Sequence, residues 1–130
     1  MDSILLDTNI VSYLEKNDSR VESYRRHLEG KRHVICFMTV AELYRWTLQY
    51  RWGESRVTRL RQRLDGYLVV PFDDALAWEW ASVSAVQGRP VSVADAWIAA
   101  AARRFNLPIV THNRKHFENI PGLVVISEAP

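Results

Sequence analysis

Asp7, Glu42 and Asp95 each stand alone where a short apolar run, or a Ser/Thr cap, hands over to a helix. Asp7 follows Ile4-Leu5-Leu6, Glu42 follows Ile35-Cys36-Phe37 and a Thr39 cap, and Asp95 follows the Ser92 cap. In a parallel sheet such handover points share one edge, so residues 35 and 53 positions apart in the chain are able to converge on one pocket. Gathered carboxylates repel by roughly 4 kcal/mol per pair at about 4 Å in an effective dielectric near 20. A divalent cation held by oxygen ligands relieves that repulsion. The pattern points to a metal site, and a metal site of this kind points to phosphate chemistry.

The elements that would hold these acids are short and alternate in type. Ile4 to Leu6 reads as a buried strand and Thr8 to Glu15 as a helix with Ile10, Val11 and Leu14 on its apolar face. A second helix is expected to run to about Glu29, with Val21, Tyr24 and Leu28 on one face and Gly30 as its stop. His33 to Phe37 reads as the second strand. Thr39 then caps a longer helix whose inward positions are Val40, Leu43, Tyr44 and Leu48, and after Gly53 a further helix carries Val57, Leu60 and Leu64 to Gly66. Leu68 to Val70 is a third strand. Asp73 or Asp74 caps a helix with Leu76, Trp80 and Val83 inward, ended by Gly88, and Ser92 caps an alanine-rich helix from Asp95 to Phe105. Ile109-Val110 is a strand, Thr111 to Asn119 a polar loop or helical turn, and Leu123 to Ile126 a final strand.

Strands of three to five residues alternating with helices predict an α/β sandwich around a mostly parallel sheet. The two successive helices from about Val40 to Gly66 have no strand between them, so they should form a protruding hairpin. The 130 residues are 48% hydrophobic and carry no linker, repeat or low-complexity segment, which predicts one domain spanning 1–130. No apolar stretch approaches the roughly 20 residues of a membrane helix. The start, Met1-Asp2-Ser3, lacks the features of a secretory signal. The lone Cys36 lies in an apolar run, as a buried reduced thiol would. Together these predict a cytoplasmic protein. Net charge is only +2, but six arginines and one acid, Glu54, fall between residues 45 and 63. Arg103, Arg104, Arg114 and Lys115 form a second basic group that better suits RNA contact, while Trp46 and Trp52 either pack or stack on bases.

Each acid taken singly is also a plausible helix cap. Thr39-Val40-Ala41-Glu42 and Ser92-Val93-Ala94-Asp95 have capping-box spacing, and Asp7 suits an N-cap worth about 1 kcal/mol. What separates a site from a set of caps is the company they keep. The segments LLDTNIVSYL, MTVAELYRW, VADAWIAAAA and VTHNRKHFENIPGL, in that order, closely resemble the PIN-domain family, and within it the VapC type, the toxin half of bacterial toxin–antitoxin pairs. The resemblance spans nearly the whole chain. It implies a PIN-like three-layer sandwich and a Mg²⁺- or Mn²⁺-dependent endoribonuclease acting on RNA. It also implies a partner, a cognate antitoxin protein, and usually a homodimer.

Matched residue by residue, Asp7, Glu42 and Asp95 correspond to the first three family acids. Many relatives end with T-x-N-x-x-D-F, whereas this chain reads Thr111-His112-Asn113-Arg114-Lys115-His116-Phe117. His116 thus stands where the fourth carboxylate would be. The expected catalytic set is Asp7, Glu42, Asp95 and His116, and the expected metal ligands are Asp7, Glu42, Asp95 and Asn113. Thr8 and Thr111 are candidate supporting hydroxyls. Histidine is a poor Mg²⁺ ligand, an acceptable Mn²⁺ ligand and a proton carrier near neutrality. It is equally a solvated loop residue without a role. Cleavage at such a site needs no 2′-hydroxyl nucleophile, so products with a 5′ phosphate and a 3′ hydroxyl are expected. Two other classes compete. One is a catalytically weakened RNA- or protein-binding module that lost turnover through His116. The other is a phosphatase or phospho-receiver, disfavoured because no second Asp lies two residues after Asp7.

Overall fold

A computed structural model describes residues 2–85 and 90–130. Five strands, β1 (Ser3–Leu6), β2 (Arg32–Cys36), β3 (Leu68–Val70), β4 (Ile109–Val110) and β5 (Val125–Ile126), form one sheet in the order β3-β2-β1-β4-β5. Every pairing is parallel, so the sheet is wholly rather than mostly parallel among the described strands. Side chains alternate across β1 and divide the core. Leu5 joins Val34, Cys36, Val70 and Ile109 on one face, while Ile4 and Leu6 join Ile35 and Val110 on the other. Helices cover both faces, giving three layers.

One face is covered by α1 (Thr8–Lys16), a 3₁₀ segment (Ser19–Tyr24) running into the single turn α2 (Arg25–Leu28), and α3 (Phe37–Gln49) and α4 (Glu54–Leu64). The other is covered by α5 (Asp74–Ser84), α6 (Val93–Arg104) and the short α7 (Arg114–Phe117). Ala99, Ala100, Ala101 and Ala102 of α6 are wholly buried. Methyl side chains let this helix lie close to its neighbours, and α5 and α6 pack along each other.

Several expectations are corrected. The segment expected as one helix to Glu29 divides into a 3₁₀ stretch and a short α turn, and its N-terminus is fixed by Asp18, which accepts the Arg20 N–H at 2.9 Å. Thr39 is not a cap. Helix α3 begins two residues earlier, at Phe37 after Cys36, so Thr39 lies inside the first turn and Glu42 forms no capping box. The buried stripe of α3 is Thr39, Leu43 and Thr47, at four-residue spacing. Tyr44 and Leu48, expected inward, face out at 37% and 80% exposure. Two threonines in the buried stripe disguise its phase, and Thr47 is tolerated there because its hydroxyl donates to the Tyr44 carbonyl at 2.7 Å. The expected stop at Gly88 lies outside the described residues.

The strand order reverses between β1 and β4. From β1 the chain first builds outward through β2 and β3, then returns to add β4 and β5 on the opposite side. Asp7 and Thr111 leave the carboxyl ends of these two adjacent strands, at the crevice where an open α/β sheet receives ligands. Asp95 enters from α6, whose first turn is fixed by Ser92 Oγ accepting the Asp95 N–H at 3.2 Å. Ser92→Ala should cost about 1 kcal/mol of stability in urea denaturation, the ordinary value of a lost N-cap. An unchanged midpoint would show that this exposed cap does not hold α6 in place.

Candidate active site

Asp7 is both a structural and a chemical residue. It is the N-cap of α1, and its backbone N–H donates to the Val110 carbonyl of β4 at 2.9 Å. Its carboxylate is almost fully buried, at 5% exposure. Oδ1 accepts the Thr8 N–H at 2.8 Å, and Oδ2 accepts the Thr111 hydroxyl at 2.7 Å. Burial pushes its pKa from 3.8 up to about 6. The Thr111 bond opposes that rise, and the Asp95 charge, then that of Glu42, adds to it.

Glu42 reaches the same crevice from α3. The Thr8 hydroxyl donates to its Oε1 at 2.7 Å, and the Thr39 hydroxyl lies 2.9 Å from that of Thr8. Having given its proton to Glu42, the Thr8 oxygen is left to accept from Thr39. Burial also raises the Glu42 pKa, and the Asp95 charge adds to the rise, while the Thr8 bond and the Arg45 charge act against it. On the far wall, Asp95 Oδ2 lies 3.0 Å from His116 Nδ1 of α7. The Thr111 hydroxyl, besides donating to Asp7, accepts the Asn113 N–H at 3.0 Å.

The crevice therefore gathers Asp7, Glu42 and Asp95, with His116 in contact with Asp95. Asn113 is exposed at the start of α7: its N–H donates to the Thr111 hydroxyl at 3.0 Å, its carbonyl accepts the His116 N–H at 3.0 Å, and its side chain forms no hydrogen bond among the described residues. Arg103, expected among the RNA-facing cations, turns instead to Glu79 at 3.3 Å and Ser82 at 3.1 Å, between α6 and α5. Arg114 and Lys115 remain exposed beside His116. Cys36 is a buried thiol whose pKa burial raises to about 11, so it stays protonated and takes no part.

Sequence reasoning missed two supports. Thr39 suits a cap by sequence, yet it also lies one turn before Glu42 on α3, the spacing at which a hydroxyl and an acid can share one partner, here Thr8. Tyr24 was read only as an apolar face position. Its phenol oxygen, fully buried, lies 2.6 Å from His112 Nδ1, 3.3 Å from the Thr111 carbonyl, and accepts the Glu128 N–H at 3.0 Å. It fixes the backbone from which Thr111 reaches Asp7. No local sequence signal marks a contact made across 87 residues.

The donor chemistry fits a hard divalent cation. Three carboxylates supply only oxygen, and Asp7 and Glu42 are each harder to ionise, first because they are buried and further because Asp95 is near. Among the described residues, no three acidic, histidine or cysteine side chains stand close enough together to hold a metal ion between them. The acids instead engage Thr8, Thr111 and His116, which leaves an open, oxygen-lined crevice rather than a sealed structural site.

Comparison with known proteins agrees with this geometry. The PIN domain family matches residues 4–123. The chain is similar to Ribonuclease VapC1 of Haemophilus influenzae strain R2866, at 32% identity over 126 residues and 92% of each chain. It is also similar to the tRNA(fMet)-specific endonuclease VapC of Shigella flexneri, at 31% identity over 122 residues and 92% of each. In structure it resembles a chain of the DNA-bound VapBC complex of Salmonella typhimurium, with a TM-score of 0.84, 27% identity and 98% of each chain covered.

The raised Asp7 pKa has a definite sign. A carboxyl at 3.8 unfolded and about 6 folded contributes stability that is full below pH 3.8 and is lost as pH rises through 6. At pH 7.5, in chelator, ionised Asp7 therefore costs roughly 3 kcal/mol. Asp7→Asn should melt higher than the parent there, and the gap should close as pH falls from 6 to about 4. A variant less stable at every pH would mean that its hydrogen bonds outweigh the burial of charge.

Proposed function

Because the chain belongs to the PIN-domain family, we propose that it is a divalent-metal-dependent endoribonuclease of the VapC type, the toxin of a type II toxin–antitoxin pair. The observation that carries this reading is the convergence of Asp7, Glu42 and Asp95 at the carboxyl ends of β1 and β4. Its substrate is RNA. Its partners are a cognate antitoxin protein, of the kind named in the VapBC complexes, and a second copy of itself. Residues 1–130 work as a single PIN-like domain. No helix of the described residues is long and apolar enough to cross a membrane, and a cytoplasmic location suits a protein that meets RNA.

Asp7, Glu42 and Asp95 are the residues that would hold the cation, Mg²⁺ or Mn²⁺, with Asn113 as a neutral oxygen donor. Such an ion, when bound, acidifies water and polarises a phosphoryl oxygen. The chain's own residues do the positioning. Thr111 holds Asp7 in one rotamer, and Thr8, steadied by Thr39, holds Glu42. Removing such a supporting partner typically costs about 10- to 100-fold in metal affinity or activity. His116 sits beside Asp95 with half of its side chain exposed, where an imidazole can carry a proton to a departing 3′ oxygen.

The same contact supports a second reading. An imidazole bonded to Asp95 occupies an oxygen that a cation would use, so the protein is instead a weakened PIN-fold RNA- or protein-binding module. His116→Asp separates the two. A clear rise in cleavage, or in Mn²⁺ affinity by calorimetry, would mean the histidine limits the site. A loss of cleavage with metal affinity retained would assign it the proton transfer.

Cleavage of an unstructured RNA should leave 5′-phosphate and 3′-hydroxyl ends. Asp7→Asn and Asp95→Asn should abolish cleavage and weaken Mn²⁺ binding, while circular dichroism stays native. If both variants unfold yet keep residual cleavage, the acids are caps and the chemistry lies elsewhere.

A further inference from the structure

A cleft of about 570 Å³ opens between α1, the end of α3 and the start of α4. Its walls include Lys16 from α1, Trp46 and Tyr50 at the end of α3, and Trp52 and Arg56 from the turn and first part of α4. Two spacings connect it to the acidic crevice. Glu42, Trp46 and Tyr50 fall four residues apart, so they share one face of α3 at steps of about 6 Å along its axis. On α1, Asn9 and Lys16 share a face that starts two residues after Asp7, and Asn9 accepts the His112 N–H of the neighbouring loop at 3.3 Å. The cleft thus starts one helical turn beyond Glu42 and two residues beyond Asp7, and runs away from the acids along both helices.

Its chemistry is unusual for a packing defect. The lining holds two cations and no carboxylate, and four of its members are aromatic while none is Leu, Ile, Val or Met. The Arg56 guanidinium lies 3.5 Å above the Trp52 ring. Arg56 is held from behind by Glu15 at 3.6 Å, a carboxylate only 9% exposed whose Oε2 has no hydrogen-bond partner among the described residues. Tyr50 is 68% exposed, which leaves its ring free to take a stacking partner. An amphipathic peptide helix would want an aliphatic groove. Planar faces interleaved with positive charge suit unpaired nucleotides.

We propose that this cleft is a single-stranded RNA subsite, seating nucleotides next to the scissile phosphate. Bases stack on Tyr50 and on the guanidinium plane of the Arg56–Trp52 pair, and Lys16 meets a backbone phosphate. The inference rests on the ribonuclease reading above, whose substrate it places on the protein.

The test is binding rather than turnover. Fluorescence anisotropy of a labelled, unstructured oligoribonucleotide is measured with the full chain in chelator. Tyr50→Ala and Arg56→Ala should each weaken binding by about 5- to 100-fold, the range for losing one stacked base. Tyr50→Phe, which keeps the ring, should bind as the parent does. Arg56→Lys, which keeps charge but not the plane, should fall between. Should Arg56→Ala lose its native circular dichroism, Arg56→Lys decides: weaker binding supports the subsite and unchanged binding overturns it. Unchanged affinity in folded Tyr50→Ala and Arg56→Ala also overturns it, and is the result expected if a protein segment occupies the cleft. RNA binding that responds to these variants, in a protein that cleaves no RNA with Mg²⁺ or Mn²⁺, would sink the ribonuclease reading and leave the subsite standing.

Discussion

Like charges held apart from water govern this molecule. Asp7 is buried at the seam of β1, β4 and α1, and the charges of Asp95 and Glu42 reach it there. A hydrophobic residue at this seam would make the sheet edge more stable. The fold instead keeps an acid whose ionised form burial disfavours, and surrounds it with groups that limit the cost. The Thr8 N–H and the Thr111 hydroxyl hold its two oxygens, so that the carboxylate keeps a fixed direction.

Threonine hydroxyls recur because they solve a specific problem. A lysine or arginine beside these acids would neutralise them and compete with any incoming cation. A hydroxyl orients without cancelling charge, and one hydroxyl serves two partners. Thr8 gives to Glu42 while facing Thr39, and Thr111 gives to Asp7 while accepting from Asn113. Asp7 and Glu42 are thus linked through Thr8 by neutral contacts, with Tyr24 bracing the Thr111 loop from below. His116 is the exception, a titratable group placed directly on Asp95.

Much of this was legible in the sequence. Strand–acid–helix handovers placed Asp7 and Asp95 at one edge, because apolar runs ended by caps mark strands and helix starts without tertiary information. The division into α3 and α4 was legible since Gly53 breaks two amphipathic periods. Helix α3 was less so. Its buried stripe contains Thr39 and Thr47, and a reading that follows apolar residues rotates the helix toward Tyr44 and Leu48. The Tyr24 brace and the Arg103–Glu79 pair were invisible for another reason: both join residues brought together only when the layers close.

The run Ala99–Ala102 sets the thickness of one layer, and Asp95 rides on the same rigid rod one turn ahead of it. How far that carboxylate stands from Asp7 is therefore gauged by methyl groups several ångströms from the chemistry. Substituting any of them with a bulkier side chain would lever α6 outward like a shim under a beam. The acid would swing away from its counterparts with no change in the crevice's own composition. In this architecture the spacer is as decisive as the acid it carries, and drift in the crevice's geometry can originate where no carboxylate is found.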